Sequence, residues 1–199
     1  MGFTYTGVIY KYFYHTYNAT WRNERTVEIP IIWRMVKEHK GKNILEIGNV
    51  LSHYYIVGYD IVDKGEKAKG VINEDANNYK TEKQYDLIIS ISTFEHIGWD
   101  EYPRDTLKIF QVIENLTKSL KPKGKMVITL PIGFNTVLDQ QIDENKLKFT
   151  RIVCLKRTTT DNAWIESNWE DIRRNKYNYP FPNANGLVIG IIEKTDVSS

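Results

Sequence analysis

The sequence of 199 residues has a single cysteine, no long apolar run and no dense block of basic residues. Cys154 alone excludes an intrachain disulfide and any zinc site built from cysteines, and it fits a reducing compartment. No apolar stretch approaches the ~20 residues that cross a bilayer, and the first residues show no signal-peptide pattern. We therefore expect a cytoplasmic protein with no membrane partner.

Positive and negative charges nearly balance, with 27 Lys and Arg against 25 Asp and Glu. The densest basic segment is KSLKPKGK at 118–125, and its Pro-Lys-Gly core is typical of a solvated turn. We therefore do not expect nucleic acid as a partner. The four histidines form no pairs at metal-ligand spacing, so we expect no metal site.

Apolar runs of strand type alternate with helical patterns along one domain, residues 1–199. Helices are predicted over 23–39, with a kink at Pro30, and over 103–120. Strands are predicted at 43–48, 59–62, 70–76, 85–92, 125–133, 149–157 and 186–194. This order predicts an α/β fold with a doubly wound, mostly parallel seven-stranded sheet in a three-layer α/β/α sandwich.

Two aromatic segments flank these elements, YKYFYHTYNATW at 10–21 and NKYNYPFPNANG at 175–186. We interpret residues 1–22 as an aromatic-rich N-terminal arm or lid, because aromatic faces suit a sugar ring, an aromatic ring or an apolar chain. The alternative for most of these rings is packing onto the sheet. Between arm and helix, the charged cluster RNER at 22–25 suits either an anion or an exposed first turn.

Four segments, taken in order, resemble class I S-adenosylmethionine-dependent methyltransferases: NILEIGN, VINEDANNY, YDLIISISTFEHIGWDEYP and LTKSLKPKGKMVITLPIG. The resemblance covers about residues 40–133. It implies a Rossmann-like fold, an enzyme that transfers a methyl group, and S-adenosylmethionine as the cofactor.

The glycine loop of that family is only half present. In the family the first strand ends in an acidic residue followed by Gly-x-Gly-x-Gly. Glu46 and Gly48 match the acid and the first glycine, but Val50 and Ser52 stand where the other two glycines would be. The resemblance implies cofactor contacts from Glu46, Gly48 and Asn49 in an atypical loop.

The segment after this loop is too short for a full crossover helix. Only nine residues separate Gly48 from Gly58, whereas a parallel crossover usually takes a dozen or more, so we expect one helical turn or none. A loop on a different path need not have the same glycines, and the Asn49 side chain can supply hydrogen bonds instead. A loop that no longer binds cofactor is the alternative.

The remaining cofactor contacts follow from the same resemblance. Asp63 is expected to bind the ribose hydroxyls through its two oxygens, with Asp60 as a close alternative. Asp75 is expected to accept from the adenine amine, with the Ala76 amide facing a ring nitrogen. Ser92, at the end of the fourth predicted strand, is assigned to the same site. For each acid, an ordinary strand end or solvated turn is the alternative.

The pair Glu95-His96 follows the fourth predicted strand, where the family transfers the methyl group. Both are assigned as catalytic: His96 as a base for a small-molecule acceptor, and Glu95 as a group that orients His96 or contacts the amino-acid end of the cofactor. A structural histidine is the alternative for His96. The segment lacks the Asn- or Asp-Pro-Pro-aromatic pattern of exocyclic base methylation.

Two other functions stay open from the sequence. The missing glycines at Val50 and Ser52 also suit a non-catalytic, methyltransferase-like binding or partner subunit. An aminopropyltransferase uses the same cofactor side, but the chain lacks the acidic cluster expected for a polyamine.

Overall fold

The structure, a computed structural model, describes residues 1–195. The strands are β1 (Gly2–Tyr5), β2 (Val8–Lys11), β3 (Ile44–Ile47), β4 (Asp60–Val62), β5 (Val71–Ile72), β6 (Tyr85–Ile91), β7 (Leu120–Pro131), β8 (Arg151–Arg157), β9 (Trp164–Ser167) and β10 (Gly186–Glu193). The helices are α1 (Arg25–Glu38), α2 (Lys108–Lys118), α3 (Thr136–Asp143) and α4 (Trp169–Ile172).

Within these residues the main sheet has eight strands in the order β5-β4-β3-β6-β7-β10-β8-β9. The first five are parallel, whereas β10 is antiparallel to both β7 and β8, and β9 is antiparallel to β8. The prediction of a mostly parallel seven-stranded sheet was therefore wrong in two respects. The sheet has eight strands, and the strands β10, β8 and β9 pair antiparallel. The extra strand β9 has four residues, of which only Trp164 is buried, which is too little for an alternating pattern.

The strand order reverses between β3 and β6, since β4 and β5 follow β3 on one side and β7 follows β6 on the other. Strand β6 is buried at six of its seven positions, with Ile88 in the core on one face and Leu87 and Ile89 in the core on the other. Its consecutive apolar residues predicted this double burial correctly. In such sheets ligands bind beside the reversal, at the carboxyl ends of the strands.

Helices cover both faces of the sheet, which gives three layers. Helix α1 packs on one face, and α2 and α3 pack on the other. Helix α1 retains Pro30 in its interior. Helix α2 begins at Lys108, five residues later than predicted. The residues just before it form a turn, in which Asp105 Oδ1 accepts the amides of Leu107 and Lys108.

The crossover from β3 to β4 contains one 3-10 turn, Leu51–His53, as the short spacing predicts. Its neighbour Tyr55 stacks on Trp33 of α1, with ring centroids 3.9 Å apart. At the N-terminus, β1 and β2 form a hairpin whose Phe3 and Tyr5 are buried in the core on the α1 face. Residues 1–22 thus pack against the domain through these two rings.

Candidate functional site

A cleft of about 150 Å³ lies at the carboxyl ends of β3, β4 and β6, beside the reversal of strand order. Five of the residues predicted for the site line it: Gly48, Asp63, Asp75, Ala76 and His96. The loops after four consecutive strands bring them together, although they are spread over 49 positions of the sequence. This cleft is the candidate functional site.

Gly48 closes the floor of the cleft where β3 meets its loop. Its φ of +84° lies in the left-handed region, and a Cβ there would collide with the side chain of Thr93. Its amide donates to the Val62 carbonyl at 2.8 Å, which ties the loop to β4. The positive φ and this collision together exclude a residue larger than glycine at position 48.

Glu46 lies beneath the loop and not among the residues that line the cleft. Its Oε1 accepts the amides of Val50 and Leu51 at 2.9 and 2.8 Å, and its Oε2 accepts from the Tyr59 hydroxyl at 2.9 Å. The residue is fully buried, and burial raises the pKa of its carboxyl to about 7 against the effect of these hydrogen bonds. Glu46 therefore holds the 3-10 turn that replaces the glycine loop.

Asp63 joins the two loops that form the near wall of the cleft. Its Oδ2 accepts the Asn49 amide at 2.9 Å, and its Oδ1 accepts the amides of Gly65 and Glu66 at 2.8 Å. The Asn49 side chain points elsewhere, since its Oδ1 accepts from the Ser52 hydroxyl. Asn49 thus contributes its backbone to the Asp63 contact, while its amide side chain stabilises the turn.

Asp75 belongs to a quartet of alternating charges across the mouth of the cleft. Lys64 and Lys108 each contact both Asp75 and Glu101, at N–O distances of 2.6 to 3.0 Å. Partial burial raises the pKa of Asp75, but hydrogen bonds from Lys108, the Asn77 amide and Lys64 outweigh it and lower that pKa to about 2. The carboxylate thus stays ionised at neutral pH.

Two other predicted residues lie at opposite ends of this half of the sheet. Ala76 is buried and lines the cleft directly after Asp75. Asp60 begins β4 and lies at the amino end of that strand, where it accepts from Lys83 Nζ at 2.7 Å and from the Tyr85 hydroxyl at 2.8 Å. Of the two alternatives for the ribose, Asp63 is therefore the one at the cleft.

His96 occupies the far wall of the cleft and is 45% exposed. Its Nδ1 donates to Asp100 Oδ2 at 2.6 Å, and its ring meets Phe134 edge-on at 4.7 Å. Because a carboxylate only accepts, the Nδ1 proton is held in this pair and Nε2 keeps a lone pair in the neutral ring. The histidine can therefore act as a base through Nε2.

Glu95 and Ser92 do not line the cleft, since both side chains are buried toward the start of α1, but Glu95 Oε1 lies 3.8 Å from Nε2 of the cleft residue His96. The Glu95 carboxyl is 2% exposed, and burial raises its pKa well above the ordinary value, with Arg25, Glu28 and Glu24 as charged neighbours. The main-chain carbonyl of Glu95 accepts from Asn135 Nδ2 at 2.9 Å, which fixes the turn.

Ser92 donates through its hydroxyl to Glu28 Oε1 at 2.6 Å. The same oxygen accepts from the Thr129 hydroxyl at 2.5 Å, and Glu28 Oε2 pairs with Arg25 at 2.6 Å. The start of α1 is thus a buried polar cluster. The sequence left two interpretations of the segment RNER, an anion site and an exposed charged turn. This buried cluster fits neither of them.

Sequence reasoning missed several residues of this region: Glu28, Lys64, Thr93, Asp100, Glu101 and Lys108. Asp100 follows His96 by four positions, a spacing that brings side chains together in any helical turn. Glu28 carried a weaker signal, a carboxylate on the apolar face of α1. Lys64, Glu101 and Lys108 carried none, because their pairing depends on how three loops approach one another.

Within the described residues no group of three or more His, Cys, Asp or Glu side chains is arranged to hold a metal ion. None of the helices placed there is both long and apolar enough to span a bilayer.

Two solved structures that are similar to this chain in fold are methyltransferases. The N-methyltransferase NodS from Bradyrhizobium japonicum WM9 is 13% identical, with a TM-score of 0.52 over 87% of this chain and 97% of NodS. A SAM-dependent methyltransferase from Archaeoglobus fulgidus is 19% identical, with a TM-score of 0.52 over 89% of this chain and 98% of that one. No protein-family model and no curated protein matches the sequence. The chain therefore has the fold of these enzymes.

Proposed function

We propose that this protein transfers a methyl group from S-adenosylmethionine to a small-molecule acceptor. The observation that supports this most is the meeting of Gly48, Asp63, Asp75 and His96 at one cleft, in a sheet with the fold of methyltransferases. Each of these residues was assigned to donor or acceptor from the sequence, independently of the cleft.

The donor fits the chemistry of the cleft. Asp63 and Asp75 offer carboxylate oxygens to ribose hydroxyls and to an adenine amine, and Ala76 offers a backbone amide. When bound, the donor supplies a methyl carbon already activated by the positive sulfur. The protein then has to hold the acceptor in line with that carbon and exclude water.

His96 is the base we assign to the acceptor side. Its Nε2 is free to take a proton because Nδ1 is held by Asp100 at 2.6 Å. Asp100 acts through His96 and is a positioning residue. Asp100→Asn should lower kcat and shift the pH profile of kcat, while KM for the donor stays the same. A merely structural role for Asp100 would not change kcat and its pH profile while leaving KM unchanged.

The quartet of Lys64, Asp75, Glu101 and Lys108 must rearrange when a nucleoside enters. The cleft of about 150 Å³ is smaller than the ~300–1,000 Å³ of most ligand pockets. Lys64 is the member free to move, since its side chain is 59% exposed and follows β4 in an open loop. Its withdrawal leaves Asp75 Oδ2 paired with Lys108 alone and removes the Lys64 side chain from the mouth of the cleft.

Calorimetric titration with S-adenosylmethionine and S-adenosylhomocysteine tests the proposal. One-site binding is expected, and Asp63→Ala should weaken it by about tenfold or more. Asp60→Ala is the matched control, because Asp60 lies on the same strand at its other end and should leave affinity unchanged. Equal affinities of wild type and Asp63→Ala would remove Asp63 from the site.

The small cleft and the residues Val50 and Ser52 favour one second candidate, a non-catalytic subunit that binds a partner. It predicts no heat and no thermal stabilisation with either ligand. A persistent partner on purification would accompany that result. The cytoplasm, and the absence of nucleic-acid and membrane partners, stay predictions from the sequence.

A further inference from the structure

Three carboxylates and one guanidinium are buried together where the start of α1 meets the turn after β6. Glu24, Glu28 and Glu95 are 7%, 0% and 2% exposed, and Arg25 is the cation among them. In this cluster, as far as the described chain shows, carboxylates outnumber cations. The donor and base functions assigned above use none of these four side chains.

Among the described residues, two buried side-chain atoms of this region have no hydrogen-bond partner, Glu95 Oε2 and Thr26 Oγ1. Glu28 is satisfied by Ser92, Thr129 and Arg25, as described above, and Glu24 Oε2 accepts the Ala184 amide at 3.2 Å. Among residues 1–195, Glu95 Oε2 is buried with no hydrogen-bond partner. A buried acceptor without a donor costs about 1–3 kcal/mol, so a ligand N–H or O–H that reached Glu95 Oε2 would be stabilised there.

The cluster is next to the reacting centre. Glu95 Oε1 lies 3.8 Å from His96 Nε2. The groups that face the Glu95 carboxyl are Arg25, Glu28 and Glu24 from the start of α1, His96 from its own turn, and Tyr177 from the loop before β10. The Tyr177 ring meets Phe134 edge-on at 5.3 Å, and Phe134 meets His96 edge-on at 4.7 Å, so these rings form a contiguous aromatic group beside the cluster.

We propose that this cluster binds the ammonium group of an amine acceptor, so that the methyl group is transferred to nitrogen. The inference rests on the proposed function and names its substrate class. An ammonium supplies both the N–H donor that Glu95 Oε2 lacks and the positive charge that the excess carboxylates lack. A neutral hydroxyl supplies only the donor.

The cluster also provides the step that an amine needs. A proton passes from the acceptor nitrogen to the Glu95 carboxylate, which frees the nitrogen lone pair. That lone pair forms the bond to the methyl carbon while the carbon–sulfur bond breaks and its electron pair stays on sulfur. His96 Nε2 lies 3.8 Å from Glu95 Oε1, so the two groups must approach one another, or be bridged by a water molecule, before His96 takes the proton from Glu95 and releases it to solvent.

The test uses benzylamine and benzyl alcohol as a matched pair that differs in the ammonium group. Calorimetry with S-adenosylhomocysteine alone comes first, because failure there refutes the proposed function. With that ligand at saturation and at pH 7.5, benzylamine should bind about tenfold more tightly than benzyl alcohol. Glu95→Gln should abolish the difference, and Glu114→Gln, an exposed carboxylate on α2, should keep it.

Three outcomes would overturn the inference: equal affinity for amine and alcohol in the wild type, an unchanged difference in Glu95→Gln, or displacement of benzylamine by S-adenosylhomocysteine. The last would show that the cluster holds the amino group of the donor. The wild-type comparison needs no variant, so the inference stays falsifiable if Glu95→Gln does not fold.

Discussion

Replacing Glu46 by glutamine tests how the altered loop is held. Glutamine has the same shape, can accept the amides of Val50 and Leu51 through its oxygen, and can donate its NH₂ to the Tyr59 hydroxyl oxygen. The substitution therefore removes the titrating group and keeps the contacts. Its effect on stability should depend on pH.

The magnitude follows from the pKa of Glu46, which burial raises from 4.5 to about 7 in the folded protein. A raised folded-state pKa means that the native protein binds this proton more tightly than the unfolded chain. The resulting stability is present below pH 4.5 and is lost as the pH rises through 7. The difference corresponds to about 3 kcal/mol, since one pKa unit is worth about 1.4 kcal/mol.

Urea unfolding followed by tryptophan fluorescence at pH 4.5 to 8.5 measures this effect. The free energy of unfolding of Glu46→Gln, relative to wild type, should rise by about 3 kcal/mol across that range. Affinity for S-adenosylhomocysteine should change by less than about threefold, because Glu46 faces its own loop. Glu114→Gln on the surface is the control. A stability difference that does not vary with pH, or a large loss of affinity, would refute the reasoning.

Three further predictions concern other parts of the structure. Gly48→Ala should lower the free energy of unfolding by about 2 kcal/mol or more, because it combines a positive φ with a collision against Thr93; Thr93→Ala added to it should recover part of the loss in a thermal melt. Asp75→Asn should be less stable than wild type at pH 4 to 7, and the gap should close as the pH falls toward 2, where wild-type Asp75 also loses its charge; acid titration by circular dichroism measures this. Cys154 should resist a thiol reagent in the native protein and react after unfolding, because burial raises the pKa of its thiol to about 11; rapid native labelling would contradict the burial.

The sequence was sufficient for the parallel half of the sheet and for the position of the cleft. The run of consecutive apolar residues predicted β6, and the spacing of Gly48 and Gly58 predicted the short crossover. Asp63 and Asp75, the acids that follow β4 and β5, both line the cleft, and their roles toward a cofactor stay predictions. These features are local: each depends on a strand and the few residues that follow it. The strand predicted at 70–76 shrinks to Val71–Ile72, because the remainder forms turns around Asp75.

The direction in which a side chain points could not be predicted in the same way. Glu46 matches the family's acidic position, yet its carboxylate lies under the loop, because the amides of Val50 and Leu51 donate to it there. Glu95 was assigned beside His96, and its Oε1 does lie 3.8 Å from His96 Nε2, but the carboxylate is buried toward the start of α1 and does not line the cleft. Such choices depend on contacts between elements distant in sequence, which a local pattern does not contain.

The two walls of the cleft follow strands of very different length. Strands β4 and β5 have three and two residues, so the wall that carries Asp63 and Asp75 is held by few ladder hydrogen bonds, whereas β6 and β7 are long and central. Local opening follows such differences, so amides of β4 and β5 should exchange with deuterium well before those of β6. A ligand that bridges the two walls would slow that exchange, and the protected amides would trace its footprint along the edge of the sheet.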